Sequence, residues 1–340
     1  MQKVINNILY IGSLNPNSNS FRRFETYKQL VEKVDGIDID PFIYKSITKK
    51  FDHHLNFGIG TIHLNAIVKN KDFSNYDALI MDNRPFLFSQ TLKTIKERNP
   101  TLKIALVLTD DPNGKYKSGW RLLKKSSRNI DVHFVQRMQN IEELLAWGAK
   151  RVEICFRSFD PAFHRIKSQV QKNTKYDAGF IGSYEENREE SIKYLIENGI
   201  KVQVTGDGWE NGKYFNTIMP FYAGKSVYGE AYVDCINQMK IALHFLRHGN
   251  RDEQDSRTFE IPACGTPMIA EYSKVHESLF KENHEVLFFK NNEELLEKVK
   301  FLIDNPHIAS QYAENAKVRC IVDGYDHNST LKKVLKKIEK

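Results

Sequence analysis

The sequence predicts an α/β protein made of two doubly wound domains. Short β-rich runs alternate with amphipathic stretches, the pattern of parallel sheets covered by helices. The alternation fades near the middle of the chain and then restarts. A length of 340 residues exceeds one small module and suffices for two cores. Hydrophobic residues at 41% and aromatic residues at 11% supply enough apolar surface to offset the ordering entropy, which excludes a disordered chain.

In the first half, residues 4–11 read as a strand, GSLNPNSNS as a polar loop and residues 21–34 as a helix. The helix follows from apolar Phe24, Tyr27, Leu30, Val31 and Val34 at helical spacing. Strands are expected at 78–81, 103–109, 132–135 and 151–156, with helices at 91–98 and 141–147. The polar segment RSFDPAFHRIKSQVQKNTK then marks a boundary. A second series follows, with strands at 176–181, 202–205, 241–246, 268–270 and 286–289. Helices are expected at 188–198, 229–239, 293–304, 307–322 and 328–339. The expected domains are 1–165 and 176–325, with a closing helix 326–340 that is a solvated face, a membrane-surface contact or a strap packing back on the first domain.

Several function classes drop out. No window approaches ~18 apolar residues, and the N-terminal run lacks a signal-peptide layout, so neither a membrane span nor export is expected. Cys155, Cys235, Cys264 and Cys320 have no zinc spacing and read as reduced thiols of a cytoplasmic protein. No HExxH pattern points to a metal, and the IDID at 37–40 precedes Pro41 as a turn or strand edge. GSLNPNSNS does not supply the G-x-G-x-x-G of a dinucleotide oxidoreductase. The net charge of +7 is uneven: residues 1–170 carry +10 and residues 171–340 carry −3. A basic half attracts polyanions or an anionic membrane face, and solvated lysines explain it equally well.

In doubly wound sheets ligands bind beyond the carboxyl ends of the strands. Gly182 and Ser183 follow one strand and bring backbone N–H groups toward a diphosphate, with Arg188 opening the next helix; an ordinary tight turn is the alternative. Gly206 and Trp209 lie in a second turn, where Trp209 stacks on a base or packs internally. Lys240 precedes a strand and is a ligand contact or a solvated charge. In NRDEQDSRTFEIPACGTPMIAEY, Glu260 sits near a helix start that favours its ionised form and nearby phosphate, and Arg257 is placed as a diphosphate clamp. In the first half, Gly12, Ser13, Asn19, Ser20 and Arg22 belong to a loop suited to substrate contact or to simple connection. Asp110 and Asp111 end a strand, as an acceptor-activating base or as a cap. His53, His54 and His63 are further candidates.

FEIPACGTPMIA resembles the sugar-nucleotide signature of GT-B glycosyltransferases, whose two Rossmann-like domains face each other across a cleft. The resemblance implies that Glu260 holds the ribose hydroxyls, with Gly265 and Thr266 in the donor turn. Asp252, eight residues earlier, replaces the usual glutamate and would face the transferred sugar as a catalytic residue beside Asp110 or Asp111. DAGFIGSYEENREESIKYLIENGIKVQVTGDGW, YGEAYVDCINQMKIALHFLRHGNRDEQDSRTFEIPACG and HEVLFFKNNEELLEKVKFLIDNP are similar, in order, to blocks of the CgeB-type spore-maturation glycosyltransferase-like family. YIGSLNPNSNSFRRFE and LTDDP resemble it more loosely.

The implied function is metal-independent sugar transfer from a nucleotide-diphosphate sugar, UDP-sugar favoured and no separate cofactor, to a glycan, protein or nucleic-acid acceptor held by the first domain. A DNA- or polyanion-directed transferase, or a non-catalytic sugar-nucleotide- or polysaccharide-binding protein of the same fold, stays open. The expected location is the cytoplasm, with a peripheral position at the inner membrane face also open. The sequence leaves the oligomeric state undetermined.

Overall fold

The structure is a computed structural model that describes residues 4–55, 57–115, 120–173 and 175–340, with 53–55 as backbone only. The chain divides into two compact units. The first comprises residues 1–157, 248–252 and 327–340; the second comprises 158–247 and 253–326.

The chain runs β1 (Asn7–Gly12), α1 (Asn19–Leu30), β2 (Lys33–Asp38), α2 (Asp40–Ile43), α3 (Lys49–Leu55), α4 (Ile59–Asn70) and β3 (Ala78–Asn83). It continues through α5 (Ser89–Arg98), β4 (Lys103–Leu108), α6 (Trp120–Ser126), β5 (Val132–Val135), α7 (Gln139–Ala146) and β6 (Val152–Ile154). The strands form one parallel sheet in the order β2-β1-β3-β4-β5-β6. Its central strands are apolar on both faces, as a sheet covered on both sides requires. Leu9, Ile11, Leu79 and Met81 enter one core, and Ile8, Tyr10, Ala78 and Ile80 enter the other.

The second unit contains β7 (Ala178–Ile181), α8 (Glu186–Glu197), β8 (Val202–Thr205), α9 (Phe215–Ile218), β9 (Tyr222–Gly224), α10 (Glu230–Gln238) and β10 (Ala242–His244). Then come α11 (Arg257–Ala263), β11 (Met268–Glu271), α12 (Lys274–Leu279), β12 (Leu287–Phe289), α13 (Asn292–Asp304) and α14 (Pro306–Val322). Their parallel sheet has the order β12-β11-β10-β7-β8-β9. The last helix, α15 (His327–Glu339), belongs to the first unit. Its Leu331, Val334, Leu335 and Ile338 recur on one face and join the core of Ile8, Tyr10 and Tyr27.

One expectation is corrected: the helix read to residue 34 stops at Leu30, because Val31 turns to extended backbone and β2 begins at Lys33. The segment after β2 holds α2, α3 and α4. Both sheets have a topological switch, between β1 and β3 and between β7 and β10, and at such points strand ends open a ligand crevice. No described helix is long and apolar enough to cross a membrane.

Candidate functional site

The second unit's switch point carries a cluster of polar side chains. Arg188, on α8, donates from Nη1 to the Ser183 carbonyl at 2.9 Å and from Nη2 to the Phe245 carbonyl at 3.2 Å. It thus ties the segment after β7 to the segment after β10. Its guanidinium is buried, and burial first, then neighbouring Arg257, lowers its pKa below the usual arginine range. Arg257 lies against Gly182: a Cβ there would stand 3.4 Å from Arg257 Nη2. Asp255 accepts from Arg257 Nη1 at 2.9 Å and pairs with His244 Nε2 at 2.9 Å. Burial alone would raise Asp255, but His244 and Arg257 outweigh it and hold the carboxyl well below the usual range. His276 receives the Thr258 hydroxyl at Nε2 and donates from Nδ1 to the Glu271 carbonyl. Burial and adjacent His244 push its pKa down to about 3, so it stays neutral.

Glu260, on α11, is buried. Tyr232 of α10 donates to Oε2 at 2.5 Å, and His164 Nε2 stands 3.6 Å from Oε1. Burial and the Glu260 charge raise the Tyr232 pKa well above its ordinary value, so the phenol remains a donor. The structure therefore brings Glu260, Arg257, Arg188, Gly182 and Ser183 into one unit, with two arginines at the switch point. Two close-set arginines at the ends of parallel strands can bind an anion with a delocalised double charge, and a held carboxylate can accept from hydroxyls.

Gly206 is fixed by backbone geometry. Its φ is +152°, and a Cβ would lie 1.9 Å from the Gly182 carbonyl oxygen. Of the two readings of Trp209, internal packing fits: the side chain is fully buried. Its indole packs edge-on against Phe180 and Tyr184, and Nε1 donates to the Gly182 carbonyl at 2.9 Å. Lys240, Gly265 and Thr266 precede β10 and β11, whereas Gly182 and Gly206 follow β7 and β8, so a parallel sheet puts the two groups at opposite ends of the strands. Gly265, with φ +65°, ends α11, and the Thr266 hydroxyl donates to the Ile236 carbonyl.

In the first unit, Gly12 ends β1 in a close approach: a Cβ would meet Ser20 Oγ at 2.4 Å. Ser13 lies on the loop, where its carbonyl accepts from the Ser18 hydroxyl at 3.2 Å. Asn19 opens α1, and the Arg22 carbonyl accepts from Thr26. Ser20 is buried and hydrogen-bonded to the Tyr10 hydroxyl at 2.9 Å. Arg23 reaches the switch point there, with Nε and Nη2 on the two oxygens of buried Asp82 at 2.8 and 2.9 Å. The side chains of His53 and His54 lie outside the described residues. His63 is exposed on α4, edge-on to Phe42.

Asp111 is held in ion pairs and hydrogen bonds. Arg251 grips both its oxygens, and Asn140 and the Asn113 N–H add to them. Burial would raise its pKa, but these donors prevail and lower it. Such donors favour the ionised carboxylate. Asp110 is half-buried at the end of β4. Asp252 belongs to this first unit, where buried Arg137 donates to Oδ1 and Asn250 Nδ2 adds a bond of 2.9 Å. The sequence reading missed Tyr232, His164, Asp255, His244, Arg23, Asp82, Arg137 and Arg251. A legible signal existed for Asp255, two residues before Arg257, but none tied Arg137 to Asp252.

Residues 188–336 match the model of a family described as glycosyl transferase-like. No curated protein matches the chain by sequence. Among solved structures, sucrose-phosphate synthase (tll1590) from Thermosynechococcus elongatus is similar at 10% identity and TM-score 0.64, covering 96% of this chain and 97% of that one. Anabaena Alr3699/HepE in complex with UDP and glucose is similar at 11% identity and TM-score 0.62, with 98% and 99% covered. A glycosyltransferase from Rickettsia africae ESF-5 is similar at 13% identity and TM-score 0.62, with 99% of each chain covered. The chain has the GT-B fold, two parallel six-stranded α/β sheets. Its second half carries a glycosyl transferase-like sequence.

Proposed function

We propose that the protein transfers a sugar from a nucleoside-diphosphate sugar, and that its second unit holds the donor. The observation that carries this reading is the cluster of Arg188, Arg257 and Glu260 around the switch between β7 and β10. Glu260, oriented by Tyr232, accepts from the ribose hydroxyls. Arg257 and Arg188 meet the charge that develops on the diphosphate as the bond to the anomeric carbon breaks. Two arginines supply that stabilisation without a dedicated metal ion. The first unit holds the acceptor, with Asp110 or Asp252 as the group nearest in chemistry to a base or sugar contact. UDP is the favoured nucleotide, because the structurally similar HepE binds UDP with glucose. The blocks between 176 and 335 narrow the reading to the CgeB-type branch, with the cytoplasm as the working location.

The test incubates the protein with UDP-, GDP-, CDP- and dTDP-sugars and follows release of the nucleoside diphosphate. Release from one nucleotide family, lost in Glu260→Ala and Arg257→Ala, supports the proposal. Tight nucleotide binding without any release, alone or with glycan, protein and DNA acceptors, assigns the fold to binding rather than transfer.

A further inference from the structure

Helix α4 carries apolar residues on both of its faces. Its inner face, Gly60, Thr61, Leu64, Asn65 and Val68, is buried. Polar groups anchor that face: Asp52 accepts from the Thr61 N–H and hydroxyl at 2.8 Å each, and Asn65 bonds the Phe86 carbonyl and the Phe88 N–H. The outer face carries Ile59, Ile62, Ala66 and Ile67, spaced by three and four residues, and all of them are exposed. A water-facing helix should carry polar residues on that outer face.

The neighbourhood extends this face. Of the 18 large apolar side chains exposed among the described residues, 7 fall between positions 44 and 67, so the apolar exposure is concentrated rather than scattered. Ile47 is 92% exposed, and Phe51 and Phe57 are also more than half exposed. The charges around them are mainly basic. Residues 40–72 hold Lys45, Lys49, Lys50, Lys69 and Lys71 against Asp40, Asp52 and Asp72. The Asp52 carboxylate points inward to Thr48 and Thr61 and does not reach the surface.

We propose that α3, α4 and the turn between α2 and α3 form a docking face for an anionic lipid surface. Apolar side chains at helical spacing enter the boundary between headgroups and acyl chains, and the lysines around them meet lipid phosphates. This charge pattern selects a lipid bilayer over a second copy of the chain, whose own lysines would repel across a shared face. The inference is independent of the sugar-transfer reading.

The experiment is flotation of the full chain with vesicles of phosphatidylcholine alone and with vesicles containing about one-third phosphatidylglycerol. The chain is expected to float with the anionic vesicles and at least about tenfold less with neutral ones, or in about 0.5 M salt. Ile62→Glu with Ile67→Glu should cut flotation at least about tenfold at an unchanged melting midpoint. If that midpoint falls, Ile47→Glu, outside any helix, takes its place and should weaken flotation likewise. Lys49→Glu with Lys50→Glu should erase the preference for anionic vesicles. No flotation with anionic vesicles overturns the proposal, as does flotation indifferent to these substitutions. A wild-type dimer that Ile62→Glu with Ile67→Glu turns into a monomer also overturns it, by giving the face to a second copy.

Discussion

Tyr232 donates a 2.5 Å hydrogen bond to the Glu260 carboxylate, and both groups belong to the second unit. The bond fixes which way the carboxylate faces. Tyr232→Phe should weaken nucleotide binding about five- to tenfold, the worth of one charge-assisted hydrogen bond. Glu260→Ala should remove measurable binding. Isothermal titration with the preferred nucleotide compares the two, and equal affinity in Tyr232→Phe and wild type contradicts the positioning role.

Gly206→Ala tests the turn that shapes the donor segment. The substitution forces a Cβ to within 1.9 Å of the Gly182 carbonyl at a φ that side chains rarely adopt. Urea unfolding should show a loss of about 3 kcal/mol or more. Gly182→Ala should cost less, because its Cβ meets the ring of Phe180 rather than backbone.

Trp209 should act through Gly182 and not through the base. Trp209→Phe keeps most of the packing but removes the indole N–H from the Gly182 carbonyl. Affinity should fall by a similar factor, about threefold to tenfold, for every nucleotide that binds. A loss that differs strongly between purine and pyrimidine nucleotides would instead point to base contact.

Asp111 gives a pH signature. Its folded-state pKa lies below the unfolded value of about 3.9, because Arg251 and the surrounding N–H donors outweigh burial. A depressed carboxylate stabilises the fold above the unfolded value and loses that contribution as pH falls through the folded one. Asp111→Asn should therefore cost about 2–3 kcal/mol near neutrality, with the gap to wild type closing below about pH 4. Urea titrations at pH 7 and pH 3 measure it, and an equal gap at both would sink the assignment.

Much of the fold was legible because the central strands are apolar on both faces: ALIM, KIALVL and VHFV can hardly be anything else. Strand β2 was not, since KVDGID is an edge strand with only partial burial and no continuous apolar run. Within the site, Glu260 and Arg257 stood out because one local motif holds them. Lys240, Gly265 and Thr266 sit before strands, which puts them at the other end of the parallel strands from Gly182 and Gly206. The partners of Asp111 and Asp252 were illegible. Arg251 is separated from Asp111 by 140 residues, and Arg137 from Asp252 by 115, and only the fold joins them.

The most direct test of donor binding is a thermal-shift screen of the purified protein against UDP, GDP, CDP, dTDP and their sugar conjugates, repeated with Glu260→Ala. A nucleotide at ~100 times its Kd stabilises the native state by about 2.7 kcal/mol, which moves the melting midpoint visibly. One nucleotide family should shift the wild type and leave Glu260→Ala unmoved. A screen in which no nucleotide shifts the wild type, or in which Glu260→Ala shifts equally, would contradict the donor site at Arg188, Arg257 and Glu260.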